Sequence, residues 1–354
     1  MSNGAGQDRM ARFTFITLTL VALLAIGLWQ GGLWPWVALS FVTVFTYMMD
    51  RLIGPGASLA PGQEFPAGDA LAVTLAVAHL VLLAAGVWAI AGGHLTGATA
   101  VAAFIGLGLF FGQVSNANAH ELVHRSNRWL RRLGVTVYVS LLFGHHASAH
   151  IRVHHVNVAT TADPNSARAG EGFYRFAARA WAGSFRAGLR AETALRARAA
   201  SPALLHPYAV YLGGAGVVLI VAFLLAGFAG VLVLCGLAAH AQMQLLLSDY
   251  VQHYGLRRHR RADGRTEPVG PQHSWNAPQW FSSALVLNAT RHSDHHQRPA
   301  TPYPALDLRS ASMPILPRSL PVMAMLALWP PLWRRVMDPQ VAEWDAKNRQ
   351  SAAV

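Results

Sequence analysis

Nine of the 17 histidines in this sequence fall within four short segments, in patterns that suit metal binding. The segments are "NANAHELVHRSN", "ASAHIRVHHVNVATTADP", "SDYVQHYGL" and "LNATRHSDHHQRP". A spacing of four residues places two imidazoles on the same face of a helix, as capture of one ion by two ligands requires. The nine candidate ligands are His120, His124, His150, His154, His155, His253, His292, His295 and His296.

The number of clustered histidines predicts two metal ions. One zinc ion takes about four protein ligands, so nine imidazoles exceed the needs of a single site. Two ions with four or five nitrogens each would keep open positions, and imidazole suits iron, copper, zinc and nickel alike. Isolated His79 and His240 are expected to pack inside helices. No ligand role is expected for His94, His145, His146, His206, His259 and His273, of which His145 and His146 should lie nearest the site.

The elements that position these histidines are predicted to be membrane helices. Hydrophobic residues make up 53% of the 354 residues and charged residues 12%, about half the share usual in soluble domains. Six apolar runs approach or reach the roughly 17–25 residues that a bilayer crossing needs. They cover residues 13–29, 33–49, 70–91, 95–115, 208–225 and 229–247. The sequence therefore predicts an all-α integral membrane protein with six transmembrane helices in one catalytic domain, residues 1–354.

Charge indicates the orientation of these helices. The breaks after the first, third and fifth runs are short and hold no Lys or Arg, whereas the polar segments 119–207 and 253–354 hold many. By the positive-inside rule, both termini and both polar segments face the cytoplasm, in a bacterial inner membrane. All four histidine segments then lie on that side, where they would form a histidine-rich cap.

The net charge of +12 belongs to this cytoplasmic face. No nucleic-acid-binding module is visible, so anionic lipid or an acidic protein partner is the better explanation. Residues 168–200 are rich in Ala and Arg and predict amphipathic helices, either on the membrane surface or with a solvated face. One cysteine, Cys235, cannot hold an iron–sulfur cluster, which needs about four thiolates. No flavin motif is present either, so any electrons must come from a partner.

Together, "HELVH", "HIRVHHVNVATTADPNSARAGE", "DYVQHYGL", "HSWNAPQW" and "RHSDHH" make the chain resemble the membrane alkane 1-monooxygenases. These are histidine-rich, non-haem di-iron hydroxylases related to xylene monooxygenase and the membrane fatty-acid desaturases. The resemblance implies that the nine histidines bind two iron ions. It also implies oxidation of a terminal methyl of medium- to long-chain n-alkanes by O₂, with electrons from rubredoxin, or a ferredoxin, and its reductase.

The resemblance also suggests residues around the ligands. Four carboxylates near the histidines could orient imidazoles, as histidine ligands usually require. They are Glu121, Asp163, Asp249 and Asp294. Ala149 and Gln252 stand where family members commonly carry Glu, Val153 where they carry Gly, and Ala289–Thr290 where they carry Leu-Gln. No expected ligand is lost, but the two missing carboxylates bear on the tuning of the iron site and on the substrate.

The second apolar run is a candidate wall for a substrate tunnel. In the resembling family a bulky residue on this helix can limit chain length, and the matching position here is Val42. Helical spacing puts Val42, Thr46 (or Phe45) and Met49 on one face. The alternative is that this face packs on a neighbouring helix.

Several other functions fit parts of the pattern. HELVH could belong to a membrane zinc metalloprotease with Glu121 as general base, but six clustered histidines would stay unexplained. A metal transporter would carry ionisable groups near the bilayer midplane rather than at its cytoplasmic edge. A related hydroxylase or desaturase could instead act on a fatty-acyl, terpenoid or alkyl-aromatic substrate.

Overall fold

A computed structural model describes residues 2–54, 66–199, 204–261 and 263–352 of the chain. Within these residues the fold is all-helical, and β-structure is limited to two isolated bridges. The helices are α1 (Ser2–Gln30), α2 (Trp34–Ile53), α3 (Pro66–Ala91), α4 (Gly97–Val123), α5 (Arg128–Ser140), α6 (146–157), α7 (Phe173–Arg198), α8 (Pro207–His253), α9 (Trp280–Leu285), α10 (His292–Gln297), α11 (Leu320–Ala327) and α12 (Pro330–Ala352).

Five of the described helices are long and apolar enough to cross a membrane: α1, α2, α3, α4 and α8. The turn between α1 and α2 is tight because Gly31 and Gly32 both adopt positive φ angles. Residues other than glycine rarely adopt such angles. Pro35 lies in the first turn of α2, where its missing N–H leaves no carbonyl unpaired. The five long apolar helices make the protein an integral membrane protein.

The fifth of these helices, α8, is 47 residues long and is broken at its middle. Ala226 and Gly227 have non-helical backbone angles, with Gly227 at φ 60°. A straight helix of this length would span about 70 Å. Both of its ends nevertheless contact the histidine-rich segments. Near the start of α8, the Tyr211 hydroxyl bonds Ser148 Oγ at 2.7 Å, and at its end His253 Nε2 lies 2.9 Å from His292 Nε2. The chain doubles back at the break, and the runs predicted at 208–225 and 229–247 lie on either side of it.

Three helices contain one wide, π-helical turn each. These turns cover Phe41–Phe45 in α2, Phe111–Ser115 in α4 and His150–His154 in α6. A π turn shifts the register of the side chains that follow it, and such turns are frequent at functional sites. The turn in α6 carries two of the candidate ligands directly.

Buried side chains of the described residues form three packed cores, two of which hold the segment after α8 in place. One joins α1, α2, α3, α4 and α8 through buried residues that include Phe13, Leu107 and Leu237. The other joins α7, α11 and α12 to the end of α8 around Tyr250 and Trp333. The segment after α8 is thereby fixed close to the membrane ends of α4 and α8.

The Ala/Arg-rich segment forms one helix, α7, rather than several. Phe173, Phe176 and Ala180 pack inward, while Arg175 and Arg186 are exposed. The helix is amphipathic, as the sequence predicts.

Candidate metal centre

The structure gathers the nine candidate histidines into two adjoining groups. In each group one nitrogen from every ring lies within 4.8 Å of the others. The five-histidine group comprises His120, His124, His150, His155 and His295, and the four-histidine group comprises His154, His253, His292 and His296. The groups touch through His155 and His296, whose ring centroids are 4.7 Å apart. The arrangement offers two neighbouring metal sites.

The distances between ring nitrogens match those of ligands around an ion. His150 Nε2 lies 3.0 Å from His124 Nε2 and 2.9 Å from His155 Nε2, and His295 Nε2 lies 3.1 Å from His155 Nε2. Two nitrogens that each bind a metal at about 2.1 Å and at right angles are about 3 Å apart. In the second group, His292 Nε2 lies 2.9 Å from His253 Nε2 and 3.1 Å from His296 Nε2.

The histidine nitrogens are available to an ion. Nε2 of His120 and of His154 is buried and has no hydrogen-bond partner among the described residues. Burial lowers the pKa of His124 to about 4 and that of His292 to about 3. These rings are therefore neutral at pH 7, the form that binds a metal. Buried and unpaired nitrogens converging in this way fit a metal ion.

Short, separate elements supply the ligands. His120 and His124 lie at the end of α4, one helical turn apart. In α6, the π turn brings His150 next to His154 and His155, which follow it by four and five residues. His253 ends α8, and α10 presents its three histidines from a single short helix. The sites thus form only where α4, α6, α8 and α10 meet.

Asp163 holds one of the ligands in position. Its Oδ2 accepts hydrogen bonds from His154 Nδ1 at 2.8 Å and from Ser166 Oγ at 2.6 Å. Burial lowers the pKa of His154, but the charge and hydrogen bond of Asp163 outweigh this and raise the pKa above its ordinary value. The proton stays on Nδ1, which leaves Nε2 facing the other ligands. Asp249 lies behind this pair and accepts a bond from Asn165 at 2.7 Å.

The other two predicted carboxylates bond elsewhere. Glu121 pairs with Arg125 at 3.0 Å and points toward the Tyr303 backbone, away from the rings. Asp294 pairs with Arg298 at 2.6 Å and accepts the Asp307 N–H. Each shares a helix with ligands but projects from a different face, so each fixes the surrounding backbone rather than an imidazole. Residue spacing alone does not reveal this.

A cavity between α4, α8 and α11 reaches the histidines. It contacts His120, His150 and His292. It also contacts His146, which stacks on His150 with ring centroids 5.3 Å apart, so His146 lies beside the site.

Polar residues inside the membrane helices also line this cavity, although the pattern of histidines does not predict them. They include Gln113, Asn116, Gln244 and Ser248. Polar side chains within apolar spans are the signal that could have identified them.

The proposed tunnel residues of α2 are not part of this cavity. Val42 and Thr46 are buried against neighbouring helices, and Met49 is half-buried against the same core. The Thr46 hydroxyl bonds the Phe41 carbonyl within its own helix at 2.8 Å. A role for this face in a tunnel stays a prediction.

Comparison with known proteins agrees with the site. Residues 95–327 match the fatty acid desaturase family. Alkane 1-monooxygenase 2 of Pseudomonas aeruginosa is 31% identical over 92% of this chain and 91% of that protein. The chain belongs to the membrane alkane 1-monooxygenase family. Another member, the alkane 1-monooxygenase of Pseudomonas putida, is 32% identical over 75% of this chain and 66% of that protein.

A more distant relative is the hydroxylase component of xylene/toluene monooxygenase from Pseudomonas putida, which is 28% identical over 65% of this chain. Membership in the alkane 1-monooxygenase family makes the protein a monooxygenase, an oxidoreductase of the membrane. Glu121, which would be the general base in the zinc-protease alternative, is paired with Arg125 at 3.0 Å.

Proposed function

We propose that this protein hydroxylates the terminal methyl of medium- to long-chain n-alkanes to give 1-alkanols, using O₂ and two electrons. The observation that carries the proposal is the pair of histidine groups at the end of a cavity between the apolar helices α4 and α8. An alkane has no polar group and dissolves in the bilayer. A site at the ends of the apolar helices α4 and α8 would therefore be within its reach.

Two iron ions are the proposed cofactor, one held by each histidine group. Iron would supply the oxygen chemistry needed to cleave an unactivated C–H bond, which zinc, without redox chemistry, cannot. The nine imidazoles would bind the ions. Asp163 would keep the His154 proton on Nδ1, and Asp249 would steady the loop that carries Asp163 through its bond to Asn165.

Apolar side chains would position the substrate. Ala117 of α4, Leu245 of α8 and Val286 line the cavity close to the histidines. Burying a methylene against such a wall contributes about 0.8 kcal/mol, so an alkyl chain would displace water from the site. The same contacts would turn the terminal methyl toward the histidine groups.

An external protein is the proposed electron source, either rubredoxin or a ferredoxin with its reductase. Residues 257–265, which follow His253, include five arginines and one aspartate. An acidic donor would dock on this loop by charge complementarity.

The proposed topology has six crossings, with α8 providing two, and places both termini and the cap in the cytoplasm of a bacterial inner membrane. Residues 1–354 would act as one catalytic unit. On α2, Val42, Thr46 and Met49 remain a proposed boundary for long substrates.

Metal analysis and substrate oxidation test this function together. Purified protein should contain close to two irons per chain. With rubredoxin, its reductase and NADH, it should convert n-alkanes to 1-alkanols in a panel that also holds fatty acids and alkylbenzenes. Activity with zinc as the sole metal, or oxidation of the alkylbenzenes alone, would refute the assignment.

A further inference from the structure

One buried carboxylate joins α7 to the helix that carries three of the candidate ligands. Glu192 of α7 accepts two hydrogen bonds at its Oε1 atom, from Ser148 Oγ at 2.8 Å and from Arg152 Nε at 2.7 Å. The Glu192 side chain is only 8% exposed, and a carboxylate is rarely buried to this extent unless it is paired. Ser148 and Arg152 both belong to α6, so one oxygen atom of α7 is bonded to two points of that helix.

The two bonded residues flank a candidate ligand along the chain. Ser148 precedes His150 by two residues, and Arg152 follows it by two. Residues four apart lie on one face of a helix, and the residue midway between them points to the opposite side. Glu192 therefore contacts the face of α6 that is turned away from the His150 imidazole. A contact on that face fixes the direction in which the imidazole points.

The start of α8 is bonded to the same place. Because the Ser148 hydroxyl donates its proton to Glu192, its oxygen is left to accept from the Tyr211 hydroxyl at 2.7 Å. One helical turn before Glu192, a methyl group on Gly188 would lie 3.2 Å from the Ala149 Cα atom, so α7 and α6 are in direct contact here. Three separate helices thus meet behind the ligands of α6.

Few other polar side chains connect α6 to its surroundings. Apart from its imidazoles, Ser148 and Arg152 are the side chains of α6 that hydrogen-bond to another element, within the residues that the structure describes. The π turn of this helix carries His150 of the five-histidine group and His154 of the four-histidine group. Turns of this kind are rare, which indicates that contacts from outside the helix stabilise this one.

We propose that Glu192 is a positioning residue for the metal centre, because its carboxylate holds the π turn of α6 in the orientation that directs His150 and His154 toward two different ions. Glu192 acts through Ser148 and Arg152 and would not contact an ion itself. Hydrogen bonds between charged partners are about twice as strong as neutral ones, so the bond to Arg152 contributes most to the contact. The inference concerns the metal site of the proposed function and rests on it.

Binding of Co²⁺ tests this role without turnover. Purified full-length protein in lipid nanodiscs is stripped of metal and titrated with Co²⁺, whose visible absorption depends on the geometry of its ligands. Glu192→Met removes the hydrogen-bond acceptor at nearly constant length. Its affinity for Co²⁺ should fall on the order of tenfold, the lower end of the loss that partners of ligands cause, and its absorption spectrum at saturation should change.

A second variant separates hydrogen bonding from packing. Glu192→Gln keeps an oxygen that can accept both bonds and loses only the charge, so its loss of affinity should be smaller than that of Glu192→Met. Glu343→Met removes an exposed carboxylate of α12 and should bind Co²⁺ as the wild type does. Ser148→Ala and Arg152→Met each remove one of the two bonds and should each show part of the loss, which keeps the test usable if Glu192→Met folds poorly.

Equal losses of affinity in Glu192→Gln and Glu192→Met would overturn the inference. It would also be overturned if Glu192→Met unfolded at a lower temperature but kept the affinity and spectrum of the wild type, since Glu192 would then stabilise the fold alone. The proposed function is judged separately by product analysis with iron. If Co²⁺ binding depends on Glu192 but no alkane is oxidised, the positioning role stands and the hydroxylase assignment fails.

Discussion

His253 shows how much a single imidazole contributes to the centre. It is fully buried, and it joins α8 to α10 through its contact with His292. Its Nδ1 lies 3.5 Å from the Ser274 hydroxyl, so only Nε2 faces the other rings. All four rings of its group are buried, and among the described residues no other ring belongs to that group.

Substitution His253→Ala should therefore remove one ion and leave the five-histidine group loaded. Bound iron should fall from about two per chain toward one, and alkane turnover should drop more than about 100-fold, since even changes to the partners of ligands cost 10–100-fold. Elemental analysis and product yield measure this. His94→Ala, at an exposed site beside Trp29, is the control. Full iron and full turnover in His253→Ala would exclude it as a ligand.

Asp163 tests the importance of ring orientation. Asp163→Asn keeps the size of the side chain but removes the charge that favours the proton on His154 Nδ1. We expect metal affinity in the four-histidine group to fall 10–100-fold. Competition with a chelator measures this, with the exposed Asp263→Asn as the matched control. An unchanged affinity would show that packing alone orients His154.

At the scale of elements, local patterns predicted more than long-range contacts did. The four- and five-residue spacings in α6 predicted converging rings, and the apolar runs predicted both halves of α8 because each half has the length of a span. By contrast, the partners of Glu121 and Asp294 depend on which way a helix faces in the folded protein. The cavity wall likewise combines α4, α8 and α11, which lie far apart in the sequence. No pattern within one segment carries that information.

The break in α8 makes a prediction about topology. If the chain reverses at Gly227, a thiol next to the break lies on the side of the membrane opposite to the cap. In a Cys235→Ser background, Phe228→Cys should react with a membrane-impermeant thiol reagent added outside intact cells. Leu204→Cys, just before α8, should react only after the membrane is opened. Labelling of both from the same side would contradict six crossings.

The dependence of activity on alkane length distinguishes the two candidate walls of the substrate path, α4 and α2. Ala117→Phe narrows the cavity at α4, so yields from long n-alkanes should fall while shorter ones remain good substrates. Val42→Trp enlarges a buried residue of α2 outside the cavity, and overpacking of this kind typically costs about 1–3 kcal/mol of stability. Product yields over a series of alkanes measure both. A selective loss of long substrates in Val42→Trp, with none in Ala117→Phe, would place the path along α2 instead.

At the scale of the whole molecule, positive charge is concentrated beside the site. The arginine-rich segment 257–265 begins four residues after His253, and Arg260 and Arg261 are exposed. A partner held there would lie close to the four-histidine group. The net charge of +12 would attract an acidic protein from a distance.

Docking of the donor should therefore weaken with salt. The screening length falls from about 10 Å at 0.1 M salt to about 3 Å at 1 M, so KM for rubredoxin should rise steeply over this range. Arg260→Glu with Arg261→Glu should raise KM at low salt and flatten the salt dependence. Arg186→Glu, on the exposed face of α7, is the control for net charge alone. A KM that does not respond to salt or to the loop variants would argue against charge-steered docking.

The distribution of ligands along the chain has a consequence for biosynthesis. Three of the four rings in the second group, and His295 of the first, lie at or beyond residue 253. When a ribosome has delivered α1 to α4 to the membrane, the sites hold only the rings of α4. Loading of the four-histidine group must therefore follow the insertion of α8 and the emergence of α10, whereas the five-histidine group lacks only His295 before then. A maturing chain passes through a stage in which α4 and α6 present five imidazoles without their counterparts, and during that stage metal availability would influence how much of the protein escapes degradation.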